Sequence, residues 1–145
     1  MGPEEVVRKC IQAFESGQYE QAGRYLAEDM VLDGPAPEPV GKDAFLALQA
    51  NLYKGIPDWS FNLHDVRTQG DMVSARVQIT GTNTQPIPPL MPGMQPIPVT
   101  GKRVSLPEEG IRFTVREDKI VRIETDNTPG GGVAGLLGQL GTKIQ

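Results

Sequence analysis

Ile111-Arg112-Phe113-Thr114-Val115-Arg116-Glu117-Asp118-Lys119-Ile120-Val121-Arg122-Ile123 contains an apolar alternation of period two, an acidic turn and a second apolar run. Too few residues separate the two runs for a crossover helix, so they form an antiparallel hairpin. Upstream, Val73-Ala75-Val77-Ile79 and Trp59-Phe61-Leu63 alternate in the same way, with Gly70-Asp71 as a tight hairpin signal between them. A meander of strands therefore fills the second half of the chain, with neighbours expected to be antiparallel.

The first third reads differently. Pro3 suits a first helical turn, Glu4 and Glu5 favour a helix N-terminus, and Val6, Val7, Cys10, Ile11 and Phe14 recur at helical spacing until Ser16-Gly17. Tyr19, Ala22, Tyr25 and Leu26 repeat that spacing, and Met30-Val31-Leu32 reads as a short strand stopped by Gly34-Pro35. Residues 34–41 read as a proline- and glycine-rich loop at a pocket rim. From Asp43, the positions Phe45, Leu48, Leu52 and Tyr53 trace a third helix ending at Gly55. Helices followed by closely spaced strands define an α+β class, with the helices covering one face of a curved antiparallel sheet. Val133, Leu136, Leu137 and Leu140 add a marginal helix near the end that needs a surface to lie on, because interior glycines weaken it.

Length and composition limit the functional classes. The 145 residues, 38% apolar and 22% charged, suit a single domain over 1–145 with one core. A net charge of −4 without a basic block argues against a nucleic-acid partner. No apolar stretch approaches the roughly 20 residues of a membrane span, and the acidic start differs from a secretory signal, so a cytoplasmic location is expected. Cys10 is the single cysteine and His64 the single histidine, which leaves neither an intrachain disulfide nor the usual ligands of a structural zinc. No metal or cofactor is expected, and the expected partner is a small apolar molecule.

The most unusual segment is the Pro/Met-rich loop at 84–100, in which Gln-Pro-Ile-Pro occurs at Gln85–Pro88 and again at Gln95–Pro98. Its prolines exclude it from a central strand. Two roles stand open: a lid that brings Met91 and Met94 over the pocket, or a contact across a dimer.

Several local features occur together in order: Phe14-Glu15-Ser16-Gly17, Leu26-Ala27-Glu28-Asp29-Met30-Val31, Gly41 before the third helix, and Ile79-Thr80-Gly81-Thr82. With Thr100-Gly101-Lys102-Arg103-Val104, Lys119-Ile120-Val121 and the Gly135–Gly141 tail, they resemble the SnoaL-like polyketide cyclase branch of the nuclear transport factor 2-like superfamily. The resemblance spans nearly the whole chain and implies a cone-shaped α+β barrel around an apolar pocket, commonly as a homodimer. That superfold carries cyclases, isomerases, hydrolases and proteins without chemistry, so the site has to be argued separately.

The resemblance draws attention to Glu124-Thr125-Asp126-Asn127 at the end of the last strand, where family cyclases and epoxide hydrolases carry an acid/base aspartate. Asp126 is the expected acid/base group, with Glu124 two residues away on the same strand face to raise its pKa. An ungapped count, however, sets Asp126 with Arg122 and opposite Val121 and Ile123, so a bulge near Thr125 is needed to turn it inward. His64 is the third catalytic candidate, the bland alternative being a surface histidine. Arg112 is expected to point outward or to pair with Glu108 or Glu109. The expected ligand contacts are Phe14, Tyr25, Leu48, Leu52, Trp59, Phe61, Met91, Met94, Ile111 and Phe113.

Two related chemistries lack their residues. The ketosteroid isomerase tyrosine, base and oxyanion-hole aspartate would fall at Cys10, Gly34 and Ile111, and the limonene epoxide hydrolase pattern meets Thr114 two residues after Arg112. The expected function is therefore binding of an apolar ring-containing or polyketide-like molecule, with cofactor-independent cyclisation, isomerisation or hydrolysis. The alternative is a non-catalytic binding module of the same fold.

Overall fold

The structure, a computed structural model, describes residues 2–33, 39–90, 93, 95–126 and 128–141, with the side chains of 132–134 outside that description. Helix α1 (Pro3–Glu15) buries Val6, Val7, Cys10, Ile11, Ala13 and Phe14 along one face, and Pro3 occupies its first turn. The short α2 (Tyr19–Arg24) leads directly into strand β1 (Leu26–Asp33), longer than the three-residue strand expected. Most of the expected 34–41 loop lies outside the described residues, but its end, Val40–Gly41, pairs with β1 as the two-residue β2. Helix α3 (Lys42–Gly55) follows at once.

Strands β3 (His64–Gln69) and β4 (Met72–Val77) form a hairpin about the expected Gly70-Asp71 turn, with Gly70 at φ 63°. The chain then forms β5 (Thr80–Thr82) and β6 (Arg103–Ser105), which pair with each other, on either side of the proline-rich excursion. Finally β7 (Glu109–Arg116) and β8 (Lys119–Thr125) enclose the turn Glu117-Asp118, both of whose residues are left-handed. Helix α4 (Gly132–Gln139) lies on the molecule as expected, burying Leu136 and Leu137, with Leu140 buried just beyond it. The Gln139 amide ties it to β6 through both backbone groups of Ser105.

The main sheet has the order β2-β1-β8-β7-β4-β3. It is antiparallel except where β1 and β8 run parallel, and it remains an open six-stranded sheet rather than a closed barrel. Register shifts in the β1/β8, β3/β4 and β7/β8 pairs supply bulges that bend it. The helices and the curved sheet enclose the core between them.

One expected strand does not form. Trp59-Ser60-Phe61-Asn62-Leu63 is irregular, joined to β5 by a bridge between Ser60 and Thr80 and by the Asn62 amide on the Thr80 hydroxyl, and Asn62 breaks the extended run with a positive φ of 48°. His64 therefore begins β3 instead of lying mid-strand. Trp59 and Phe61 are buried nonetheless, with their rings edge-to-face at 6.0 Å.

The 84–100 excursion is closed on itself by a reciprocal backbone pair between Ile87 and Ile97, both at 2.8 Å. Ile87, Leu90 and Ile97 pack into the core, with Ile87 pressed so closely onto Gly55 that any Cβ there would overlap it. Gly55→Ala is accordingly expected to lower stability by about 1–3 kcal/mol through overpacking. An unchanged thermal unfolding midpoint would contradict that close approach.

Candidate ligand-binding site

The apolar faces of α1 and α3 meet the inward faces of β4, β7 and β8 around a pocket of about 110 Å³. Helix α1 contributes Cys10, Ile11 and Phe14; α3 contributes Phe45, Leu48, Gln49 and Leu52; the irregular stretch adds Trp59 and Phe61. Ile111 and Phe113 from β7, Ile123 and Thr125 from β8, and Leu136 from α4 complete most of the wall. Seven of the ten expected ligand contacts thus line one pocket: Phe14, Leu48, Leu52, Trp59, Phe61, Ile111 and Phe113. Tyr25 is half-buried against the core instead, with its carbonyl receiving the Ile120 N–H. Met91 and Met94 lie outside the described residues.

The catalytic candidates do not meet there. Asp126 is exposed, with its side chain 46% accessible, and it accepts a hydrogen bond from Arg112 Nη1 at 2.8 Å. Its carboxylate lies over Gly110, where a Cβ would overlap it, on the outer sheet face. The β7/β8 ladder runs without interruption from Ile111↔Thr125 to Thr114↔Arg122, so the bulge that would have turned Asp126 inward is absent. The register shifts instead opposite Val121, which brings Ile120 and Ile123 into the core and leaves Val121 half-buried. Glu124 also faces outward, paired with Arg122, which in turn binds Asp33. Replacing Asp126 by Asn is expected to change stability by less than about 1 kcal/mol, as for other exposed ion pairs. A larger loss in chemical denaturation would contradict this placement.

His64 lies on the rim of β3, where Nδ1 donates to the Asn62 carbonyl at 2.7 Å and Nε2 to Glu108 at 2.6 Å. Arg76 also reaches Glu108, at 2.7 Å. His64, Asp65 and Glu108 form a group of ligand-type side chains, but both His64 nitrogens already face protein acceptors. These bonds raise the His64 pKa above its ordinary 6.5, the Asn62 carbonyl first and Glu108 next, while His64 and Arg76 lower that of Glu108. Stability from the histidine is thus full below 6.5 and is lost as pH rises through the folded value. Stability from Glu108 is present above 4.5 and is lost as pH falls through its depressed value. As the single histidine, His64 gives one pair of ring C–H resonances to follow in a proton NMR titration. It is expected to titrate above 6.5, and Glu108→Gln should move it back down; a wild-type midpoint at or below 6.5 would contradict the pair.

The polar groups that do line the pocket escaped the sequence reading. Glu109 opens β7 with the same parity as Ile111, Phe113 and Val115, so it shares their inward face. Its Oε1 accepts the Thr128 N–H at 2.8 Å. Gln49 sits one turn from Phe45 on α3 and is buried, and Thr125 lies opposite Ile111. Neither Gln49 nor Thr125 makes a side-chain hydrogen bond among the described residues, and the buried Trp59 Nε1–H is also without a partner. Cys10 is a poor nucleophile, since burial pushes its thiol up to about 12.

An open, curved α+β sheet with its helices over an apolar pocket defines the fold class. Residues 7–123 match the SnoaL-like domain family, and the chain belongs to that family. Solved structures agree. A candidate SnoaL-like polyketide cyclase from Jannaschia sp. CCS1 is 16% identical over 98% of this chain and 93% of its own, with a TM-score of 0.72. IdmH from Streptomyces antibioticus, a candidate polyketide cyclase, is 22% identical over 98% and 100%, with a TM-score of 0.72. AclR from Streptomyces galilaeus, a candidate hydroxylase, is 19% identical over 96% and 95%, again at 0.72. At these identities the likeness is one of fold. No curated protein matches the sequence. No described helix is long and apolar enough to cross a membrane.

Proposed function

We propose that the chain binds a small apolar ring compound in the pocket between α1, α3 and the sheet. The supporting observation is a wall of aromatic and aliphatic side chains interrupted by a few polar groups, the usual composition of a small-molecule site. Its volume of about 110 Å³ lies below the roughly 300–1,000 Å³ of drug-sized sites and is close to the ~150 Å³ of an engineered cavity that holds benzene. A single-ring molecule suits it better than a fused polyketide. Asp126, Glu124 and His64 lie outside this wall, so the reading is one of binding, and acid/base turnover needs a different residue from those expected.

Thermal unfolding with ethylbenzene as probe tests this. Saturating probe should raise the unfolding midpoint of the wild type, since a ligand at a hundred times its Kd stabilises by about 2.7 kcal/mol. Ile111→Trp, which fills the pocket, should abolish the rise. No rise in the wild type, or an equal rise in Ile111→Trp, would refute the site.

The same reading includes a cytoplasmic homodimer formed through the outer sheet face. Arg76 and Arg112 lie among Glu108, Glu124 and Asp126 on that face, a mixed-charge surface suited to a twofold copy of itself. Sedimentation at micromolar concentration should give a dimer; a clean monomer would refute it.

A further inference from the structure

We propose that the ligand of this pocket carries a basic nitrogen on a short arm from its ring, with the ammonium resting on Glu109; the proposal builds on the binding reading above. Glu109 is the one charged side chain in the described pocket wall, where no lysine, arginine or histidine balances it. Its orientation follows from the β7 alternation, because Gly110 and Arg112 face outward while Ile111 and Phe113 share its side. One carboxylate oxygen is fixed by the Thr128 N–H, and Oε2 has no hydrogen-bond partner among the described residues.

Glu109 is half-buried beside apolar walls, where a cationic partner for its second oxygen is favoured over a neutral one. An ammonium supplies it through a charge-assisted hydrogen bond. The same wall carries two further acceptors, the Thr125 hydroxyl and the Gln49 amide oxygen, neither engaged elsewhere among the described residues. A ligand carboxylate would meet like charge instead. The site therefore discriminates by ligand charge as well as by ring size.

Three probes of matched shape test this by titration calorimetry at pH 7: benzylamine, ethylbenzene and phenylacetate. In the wild type, benzylamine is expected to bind about 10-fold tighter than ethylbenzene, the increment typical of a hydrogen bond to a charged group, and phenylacetate weaker than either. Glu109→Gln should bring the ratio of benzylamine to ethylbenzene affinity down to about 1, whatever the variant does to the absolute affinities. Ethylbenzene binding without an amine preference, or a preference that survives Glu109→Gln, overturns the ligand class and leaves the pocket intact. Binding by none of the three overturns the pocket itself and this proposal with it. The wild-type ranking decides the matter even where the variant does not fold.

Discussion

Phe113→Ala is expected to cost about 3–5 kcal/mol of stability, the largest effect of any single truncation considered for this chain. Phe113 is 1% exposed at the middle of β7 and is registered between Val73 on β4 and Ile123 on β8, which are both buried. It belongs to the same buried cluster as Phe14, Phe61 and Val77, with Leu48 packed at its edge, as the apolar phases of their segments predict. Because Phe113 also borders the pocket, its removal enlarges an existing space that neighbouring rings can fill only in part. Chemical denaturation should show the loss without a change of slope. A loss under about 1 kcal/mol would mean that the core is not organised around β7.

Asn83→Ala is expected to cost about 3 kcal/mol, an unusually large effect for a polar residue outside any helix or strand. Its side chain is 0% exposed and fully engaged. The amide donates to the Gly55 and Gln85 carbonyls at 3.2 and 2.7 Å, and its oxygen receives the Thr100 N–H at 2.8 Å and the Thr100 hydroxyl at 2.7 Å. Asn83 thus fastens both ends of the 84–100 excursion to the C-terminus of α3. Truncation leaves several of these groups buried and unpaired, at about 1–3 kcal/mol for each that water cannot reach. Hydrogen exchange should show the Ile87 and Ile97 amides, which bond to each other's residues, losing protection before the β7/β8 amides. Unchanged protection together with a stability loss below about 1 kcal/mol would contradict this role.

Local periodicity made α1, α3, β4, β7 and β8 legible in the sequence, since each carries enough apolar residues at one spacing to define a face. Trp59-Phe61-Leu63 carries the same alternation but folds irregularly, because the positive φ of Asn62 is a backbone property that apolar spacing does not report. The parallel pairing of β1 with β8 joins segments about 90 residues apart, and no local signal encodes it. Most of the pocket wall could be read, for the residues that form the core also line its cavity. Its polar members could not, since their orientation depends on strand parity at the rim, where one bulge reverses the assignment. Asp126 was expected to turn inward through a bulge near Thr125, yet the bulge lies at Val121. Glu109 was grouped with Glu108 as a partner for Arg112, although its parity with Ile111 and Phe113 already marked the inward face. Glu108 instead binds His64 and Arg76 outside, and Arg112 takes Asp126.

The central claim, that the space beneath α1 and α3 is a ligand site, is tested most directly by methyl-resolved NMR of the protein titrated with ethylbenzene. Saturable shifts are predicted at the Ile11, Leu48, Leu52, Ile111 and Ile123 methyls that line the pocket, while Val66 and Val99, which do not line it, stay unchanged. Shifts confined to the outer sheet face, or no saturable shift at any pocket methyl, would contradict the account.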